Sequence, residues 1–176
     1  MFLSALLCGF VSASEPSIDE LEGVYVYVAN EKDTKDIEDG LQRSVSEFNI
    51  VFRPVVKHIL GDAAKVAHKV ELQIEQESVT LVHYRKGEVA KVSGPLDKEL
   101  KSSIRDDMKH KLWWNKNQLE RLDKTKDGGR EVTYKLSDDK KSLFVHIKMF
   151  SSRLSKPFEY TLTYVRNLVK KKCSII

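Results

Sequence analysis

Residues 70–75 (VELQIE) and 79–84 (VTLVHY) decide the fold of this chain. In the first stretch Val70, Leu72 and Ile74 alternate with polar residues, and the second stretch alternates in the same way. Successive side chains of a β-strand point to opposite faces of the sheet, so a period of two predicts two strands that each bury one face. Strands of this kind, separated by a short polar turn, are typical of antiparallel sheets.

The same alternation continues toward the C-terminus. It predicts further strands over residues 89–93, 109–114, 118–124, 131–136, 142–150 and 158–166. Short polar segments separate these strands, and Asn115-Lys116-Asn117 and Asp127-Gly128-Gly129 both favour tight turns. Gly94-Pro95 is expected to end one strand, and the charged residues 96–107 are expected to form a loop with a helical turn.

Toward the N-terminus the period changes. Residues 23–28 (GVYVYV) are rich in β-branched and aromatic side chains and predict the first strand. Apolar residues then recur at three- or four-residue spacing, at Ile37, Leu41, Val45 and Phe48. This spacing predicts an amphipathic helix. A second helix is predicted from Pro54, which suits a first helical turn, to Gly61, which favours termination.

Together these elements predict one mainly β domain of the α+β type over residues 21–166 of the 176-residue chain. We expect about eight antiparallel strands in an up-and-down barrel or a curved half-barrel, because closure removes exposed sheet edges. The helical pair is inserted after the first strand. A flatter sheet packed on the helices is the alternative architecture.

Three stretches of the chain carry a resemblance to a known family. Gly23-Val24-Tyr25 is similar to the Gly-x-Trp opening of lipocalin-like barrels, with Tyr in place of Trp. Residues 134–143 (YKLSDDKKSL) and 152–164 (SRLSKPFEYTLTY) look like small exported bacterial proteins of unknown function that are lipocalin-like, or calycin-like. The resemblance covers roughly residues 21–166 and implies a β-barrel, with no catalytic residues to carry over.

The charge balance argues against nucleic-acid binding. The chain has 30 basic and 26 acidic residues, and no dense basic stripe with interleaved aromatic side chains. Much of the small basic excess lies in residues 167–176, which we interpret as a basic C-terminal tail that could contact an anionic membrane surface. The last four residues, beginning at Cys173, match a prenylation motif, but such a modification conflicts with export.

The N-terminus predicts export. Residues 1–13 (MFLSALLCGFVSA) carry no charge, are mostly apolar and end in small residues that suit cleavage by a signal peptidase. We therefore expect a periplasmic or secreted protein. A buried N-terminal strand or helix is the alternative. Cleavage after Ala13 would remove Cys8 and leave Cys173 without a partner for an intramolecular disulfide.

Aromatic side chains are the candidate ligand-binding residues, because they can line the interior of a barrel. The candidates are Tyr25, Tyr27, Trp113, Phe144, Tyr160 and Tyr164. The leading hypothesis is a non-catalytic protein that binds a small apolar or amphipathic ligand inside the barrel. The alternative is a structural or interaction module of the cell envelope with a solid core.

No catalytic, metal or cofactor motif supports an enzyme. The five histidines have no metal-ligand spacing, and the chain has neither a nucleophile elbow nor a glycine-rich phosphate loop. We therefore predict no metal and no cofactor. A second alternative, an enzyme with its site at the barrel mouth, would require ionisable residues to converge there, for example His83 with His146 and a carboxylate.

Overall fold

The computed structural model describes residues 17–102 and 106–168, and its main feature is one antiparallel sheet of ten strands. A short 3-10 helix (Ile18–Leu21) leads into β1 (Gly23–Tyr27), which is followed by α1 (Glu31–Val45) and α2 (Arg53–Ala63). The remaining strands are β2 (Lys69–Glu75), β3 (Ser78–Arg85), β4 (Glu88–Pro95), β5 (Glu99–Lys101), β6 (Lys109–Asn115), β7 (Gln118–Lys124), β8 (Gly128–Leu136), β9 (Ser142–Ser151) and β10 (Phe158–Arg166).

The sheet curls into a nearly closed barrel. Its strand order is β4-β3-β2-β1-β10-β9-β8-β7-β6-β5, so consecutive strands are neighbours and β1 joins the first half to the last strand. Tyr25 of β1 lies opposite Val70 of β2 on one side and Arg166 of β10 on the other. The edge strands β4 and β5 meet at a seam, as expected for a sheet that hides its edges. The predicted barrel with a helical pair after its first strand is therefore confirmed, with ten strands in place of about eight.

Two local predictions around glycine are wrong. Gly128 and Gly129 begin β8, opposite Ser151 and Phe150, instead of forming a tight turn. A Cβ atom at Gly128 would lie 2.3 Å from the carbonyl oxygen of Phe150, so glycine serves here for close backbone approach. In α2, Gly61 does not end the helix, which continues to Ala63.

The segment between β4 and β6 also differs from its prediction. β4 runs through Gly94 to Pro95, which is allowed because β4 is an edge strand. Glu99–Lys101 then forms the short strand β5, which pairs with β6. A three-residue strand is too short to produce a periodic pattern, so the sequence of this charged segment does not predict it.

α1 covers the half of β10 that β1 leaves unpaired. Asn30 caps the helix by accepting a hydrogen bond from the Asp33 N–H at 2.8 Å. The buried carboxylate of Asp33 accepts the Thr163 N–H at 2.6 Å, and Asp36 accepts the Thr161 N–H at 2.6 Å. Gly40 allows the helix to approach the carbonyl oxygen of Glu159, which a Cβ atom would meet at 2.3 Å. Neither helix in residues 17–102 is long and apolar enough to cross a bilayer.

The barrel interior is packed differently in its two halves. The half farther from the helices is filled by large, fully buried side chains: Leu21, Tyr25, Leu72, Leu81, Leu112, Leu119 and Leu143. Arg166 closes this end by donating hydrogen bonds to the hydroxyl of Tyr25 and to the carbonyl oxygens of Glu20 and Glu22. The half nearer the helices contains a cavity, whose lining includes small residues such as Ala67, Ala90 and Val132.

Candidate functional site

The candidate site is an interior cavity of about 300 Å³ in the helical half of the barrel. Its volume is at the lower end of the range found for small-molecule sites. Strands β3, β4, β7, β8, β9 and β10 all contribute side chains to it. The apolar part of the wall consists of Ala67, Ala90, Val92, Met108, Val132, Val145, Ile147 and Leu162, together with the rings of Tyr134, Tyr160 and Tyr164.

One part of the wall is a cluster of charges. Arg121, which is only 5% exposed, donates from Nε to Asp123 Oδ1 at 2.8 Å and lies with Nη2 2.7 Å from Asp123 Oδ2. Arg130 Nη2 approaches the same Oδ2 at 2.9 Å. Burial alone raises the pKa of Asp123, but the two guanidinium groups outweigh it and hold that pKa below its usual range. One carboxylate therefore serves two arginines.

His83 lies beside this cluster, and its imidazole is neutral near pH 7. Its Nε2 lies 3.0 Å from the hydroxyl of the fully buried Tyr134. Burial, then the positive charges of Arg121, Arg130 and Arg85, lower the pKa of His83 to about 3. The neutral imidazole can donate or accept a hydrogen bond with the phenol hydroxyl, and it adds no charge to the cavity.

Arg85 brings a further donor to the cavity. Its Nε is buried and has no hydrogen-bond partner within the part of the chain that the structure describes. Its Nη1 lies 3.9 Å from the exposed carboxylate of Glu88, a weak surface contact. A buried, unpaired N–H of a charged group is costly unless a ligand or water completes it.

The cavity therefore has a positive character. Four lining side chains are basic, namely Lys65, Arg85, Arg121 and Arg130, and one is acidic, Glu88. Even with Asp123 included, the basic groups exceed the acidic groups by two. An apolar wall that ends in an excess of guanidinium groups suits an amphipathic molecule with an anionic end.

The six aromatic residues predicted to bind a ligand lie in different parts of the barrel. Tyr160 and Tyr164 line the cavity, and burial raises the pKa of Tyr160 to about 12, so its hydroxyl remains protonated. Tyr25 belongs to the filled half, where its hydroxyl donates to the carbonyl oxygen of Leu21 at 2.9 Å. Tyr27 is half-buried against Tyr164, with ring centroids 5.5 Å apart. Ligand binding by these four residues stays a prediction.

Two candidates do not line the interior. Phe144 is 37% exposed, because Leu143 and Val145 take the inward positions of β9. Trp113 lies on the outer side of β6, with Lys111 Nζ 5.8 Å from its ring centroid, whereas Trp114 packs against the core. The adjacent tryptophans thus point to opposite faces, as the strand period predicts.

The proposed convergence of His83 with His146 does not occur. His83 points into the barrel, whereas His146 is exposed on the outer face of β9 and lies 3.2 Å from Thr161 Oγ1. The period of β9 imposes this result, because Val145 and Ile147 are buried and His146 lies between them.

Sequence reasoning missed the charged cluster, although a signal for it was present. Arg121 and Asp123 share the face of Leu119 in β7, and Arg130 shares the face of Tyr134 in β8. Since these faces carry core residues, the alternation itself places the charges inside. Burial of charge is rare enough that charged residues are ordinarily assigned to solvent.

Comparison with known proteins supports the fold and no closer relationship. No family model matches the chain, and no curated protein matches it either. Among solved structures, the REP1-NXSQ fatty acid transporter matches with a TM-score of 0.54 and 14% identity over 85% of this chain and 97% of its own.

Two further solved structures have similar values. Lipid binding protein 8 of Caenorhabditis elegans has a TM-score of 0.56 at 11% identity, covering 86% of this chain and 98% of its own. Fatty-acid-binding protein 1 of Echinococcus granulosus has a TM-score of 0.54 at 11% identity, covering 85% and 98%. The chain thus shares its nearly closed, calycin-like barrel fold with these three structures.

Proposed function

We propose that this protein binds a small amphipathic molecule with an anionic head group inside its barrel and performs no chemistry on it. The observation that carries this proposal is the cavity of about 300 Å³, in which an apolar wall leads to Arg85 and Arg130. The similar structures named as fatty-acid transporters or binding proteins have the same fold and support a role in ligand binding.

In the proposed complex Arg85 and Arg130 both bind the anionic head group, although their surroundings differ. Arg85 Nε supplies a buried donor without a partner among the described residues, and Arg130 shares a carboxylate that Arg121 already neutralises. A carboxylate head group placed between Arg85 and Arg130 would accept charge-assisted hydrogen bonds. The Arg121–Asp123 pair would position Arg130, and the alkyl chain would lie against Val132, Val145 and Ile147.

Binding of decanoate and of decanol by isothermal titration calorimetry tests this proposal. We expect decanoate to bind more tightly, and Arg85→Gln with Arg130→Gln to weaken decanoate by about 10- to 100-fold while changing decanol little. Arg153→Gln, at an exposed arginine in the loop before β10, is the matched control. Equal affinity for the two ligands, or an equal loss in the control, would contradict the anionic head group.

A second candidate function is docking of the helical end onto a lipid surface. Large apolar side chains at the turn between the helices and on α2 are more than half exposed: Ile50, Val51, Phe52, Val55 and Ile59. Such a contiguous apolar patch is unusual on a free surface. The basic residues Arg53 and Lys57 on the same helix, and the basic tail 167–176, would favour anionic lipid.

Flotation with vesicles of phosphatidylcholine and phosphatidylglycerol tests this candidate. Val55→Asp with Ile59→Asp is expected to abolish co-flotation, because charge on the apolar face opposes insertion. Val89→Asp, at an exposed valine of β4, is the control and should retain binding. Flotation that is unchanged in the Val55/Ile59 variant would exclude the patch as the lipid-binding surface.

We also propose that the protein is exported to the periplasm or secreted. The support is the uncharged apolar sequence of residues 1–13, which lies outside the described residues, as do residues 169–176 of the basic tail. Intact mass of the protein from its own host tests the proposal. A chain that begins at Ser14 is expected, and a chain that retains Met1 would contradict export through this segment.

A further inference from the structure

A second cavity opens through the barrel wall at the seam between the two sheet edges. It has a volume of about 420 Å³, and β4, β5 and β6 supply its walls. We call it the seam cavity and define it by Lys91, Ser93, Lys101, Ser102, Met108 and His110. Val92 and Met108 line both this cavity and the interior one, so these two side chains stand between them.

The seam is closed at one end and open at the other. At the end far from the helices, Asp97 N–H donates to the carbonyl oxygen of Leu112 at 2.7 Å, and Leu100 fills the space above Gly94. Toward the helices no ladder joins β4 to β6 in the described sheet. Because β4 is an edge strand, its outer backbone groups face this opening.

His110 lines the seam cavity with a side chain that is almost fully buried. The residue is 9% exposed, and its Nε2 is buried without a hydrogen-bond partner among the residues that the structure describes. Buried polar atoms in proteins are nearly always paired, so an unpaired one requires an explanation. A ligand atom that enters the cavity would provide the partner.

The charged side chains that line the seam cavity indicate which class of ligand it can bind. Lys91 and Lys101 border the cavity, and neither forms an ion pair within residues 17–102 and 106–168. No carboxylate is among the lining residues of the described chain, and Asp123, which lies opposite His110 in the β6–β7 register, is paired with Arg121 and Arg130. Two lysine side chains and a buried imidazole nitrogen that is able to donate together suit an anion.

We propose that the seam cavity is a second anion-binding site, in which His110 Nε2 donates to an oxygen of a phosphate or carboxylate while Lys91 and Lys101 neutralise its charge. This site is distinct from the Arg85–Arg130 end of the interior cavity. The anion is either free in solution or the end of a longer molecule that reaches past Met108 from the interior. The chemistry of recognition is the same in both cases.

Titration with inorganic phosphate, followed by the ring resonances of His110 in carbon–proton NMR spectra, tests the proposal. We expect saturable shifts of His110, and a roughly tenfold loss of affinity in the double variant Lys91→Gln and Lys101→Gln. The control is Lys32→Gln with Lys35→Gln, which removes two exposed lysines of α1. Because both variants change only exposed side chains, the fold is retained.

Decyl phosphate distinguishes the source of the anion. Shifts of His110 with both phosphates support a site for a free anion, and shifts with decyl phosphate alone support the end of a molecule held by the barrel. Absence of a His110 response to either probe overturns the proposal. An equal loss of affinity in the two double variants also overturns it, because net charge alone would then explain binding.

Discussion

At the scale of single residues, the charged cluster around Asp123 distinguishes this barrel interior from a purely apolar one. Burial of an ion costs several kcal/mol unless geometry and hydrogen bonds compensate it. Arg121 meets that requirement by contacting both oxygens of Asp123, at 2.8 and 2.7 Å. Arg130 adds a second cation to a carboxylate that is already paired, and the site is left with positive charge for a ligand to neutralise.

The neutral state of His83 leads to a prediction about acid stability. The unfolded chain binds a proton at this histidine near its ordinary pKa of about 6.5. The folded chain does so only near the lowered pKa of about 3. The unfolded state therefore holds more protons between these values, and the free energy of unfolding should fall by up to about 1.4 kcal/mol per pH unit as the pH decreases through this window.

Urea unfolding of His83→Gln at a series of pH values checks this expectation. Between pH 6 and 4, the slope of the free energy of unfolding against pH should correspond to about one proton fewer in the variant than in the unmodified chain. His146→Gln, on the outer face of β9, removes one histidine from the unfolded chain without touching the cavity. A His83→Gln slope that equals the unmodified one would show that His83 is protonated in the folded protein.

At the scale of elements, α1 takes the place of a strand along part of β10. β1 pairs only with Tyr164–Arg166, so the N–H groups of Thr161 and Thr163 would otherwise face solvent or a second chain. The carboxylates of Asp36 and Asp33 accept these two donors. The position of α1 therefore depends on polar contacts to backbone as well as on its buried residues Leu41 and Val45.

Two helical glycines allow a matched test of this arrangement. A methyl group at Gly40 would collide with the carbonyl oxygen of Glu159, whereas Gly61 of α2 has nothing within 4 Å of a Cβ position. Gly40→Ala should therefore destabilise the protein by roughly 1–3 kcal/mol. Gly61→Ala should stabilise it by roughly 0.5–1 kcal/mol, because alanine has the higher helix propensity.

Thermal and urea unfolding of the two glycine variants measures both effects. Opposite signs are expected from the same substitution, so a general effect of alanine is controlled within the pair. If Gly40→Ala were as stable as the unmodified chain, α1 could not be in backbone contact with β10.

Most of the elements could be predicted from the sequence, since period-two alternation along β2, β3 and β10 identifies both the strands and their buried faces, whereas for β9 it identified the strand but Phe144 was assigned to the wrong face. The exceptions have specific physical causes. β5 is three residues long, and Gly128 and Gly129 serve close approach to β9 in place of a turn. The cavity lining was harder to predict, because it depends on which side chains from distant strands face one another.

At the scale of the whole molecule, the barrel interior consists of a filled half and a half that contains a cavity. Leucines and Tyr25 fill the half farther from the helices with fully buried side chains, and the burial of this apolar area stabilises the fold. In the other half, small residues such as Ala67, Ala90 and Val145 line the cavity together with tyrosine rings. The aromatic residues alone could not reveal this division, because Tyr25 and Tyr160 belong to different halves although both face inward.

Methyl NMR spectra recorded during a titration with decanoate test the central claim most directly. The account predicts saturable shifts at Val132, Val145 and Ile147 of the cavity, and little change at Leu72 and Leu119 of the filled half. Absence of shifts at the three cavity residues, or shifts confined to the exposed residues of α2, would contradict a ligand site inside the barrel.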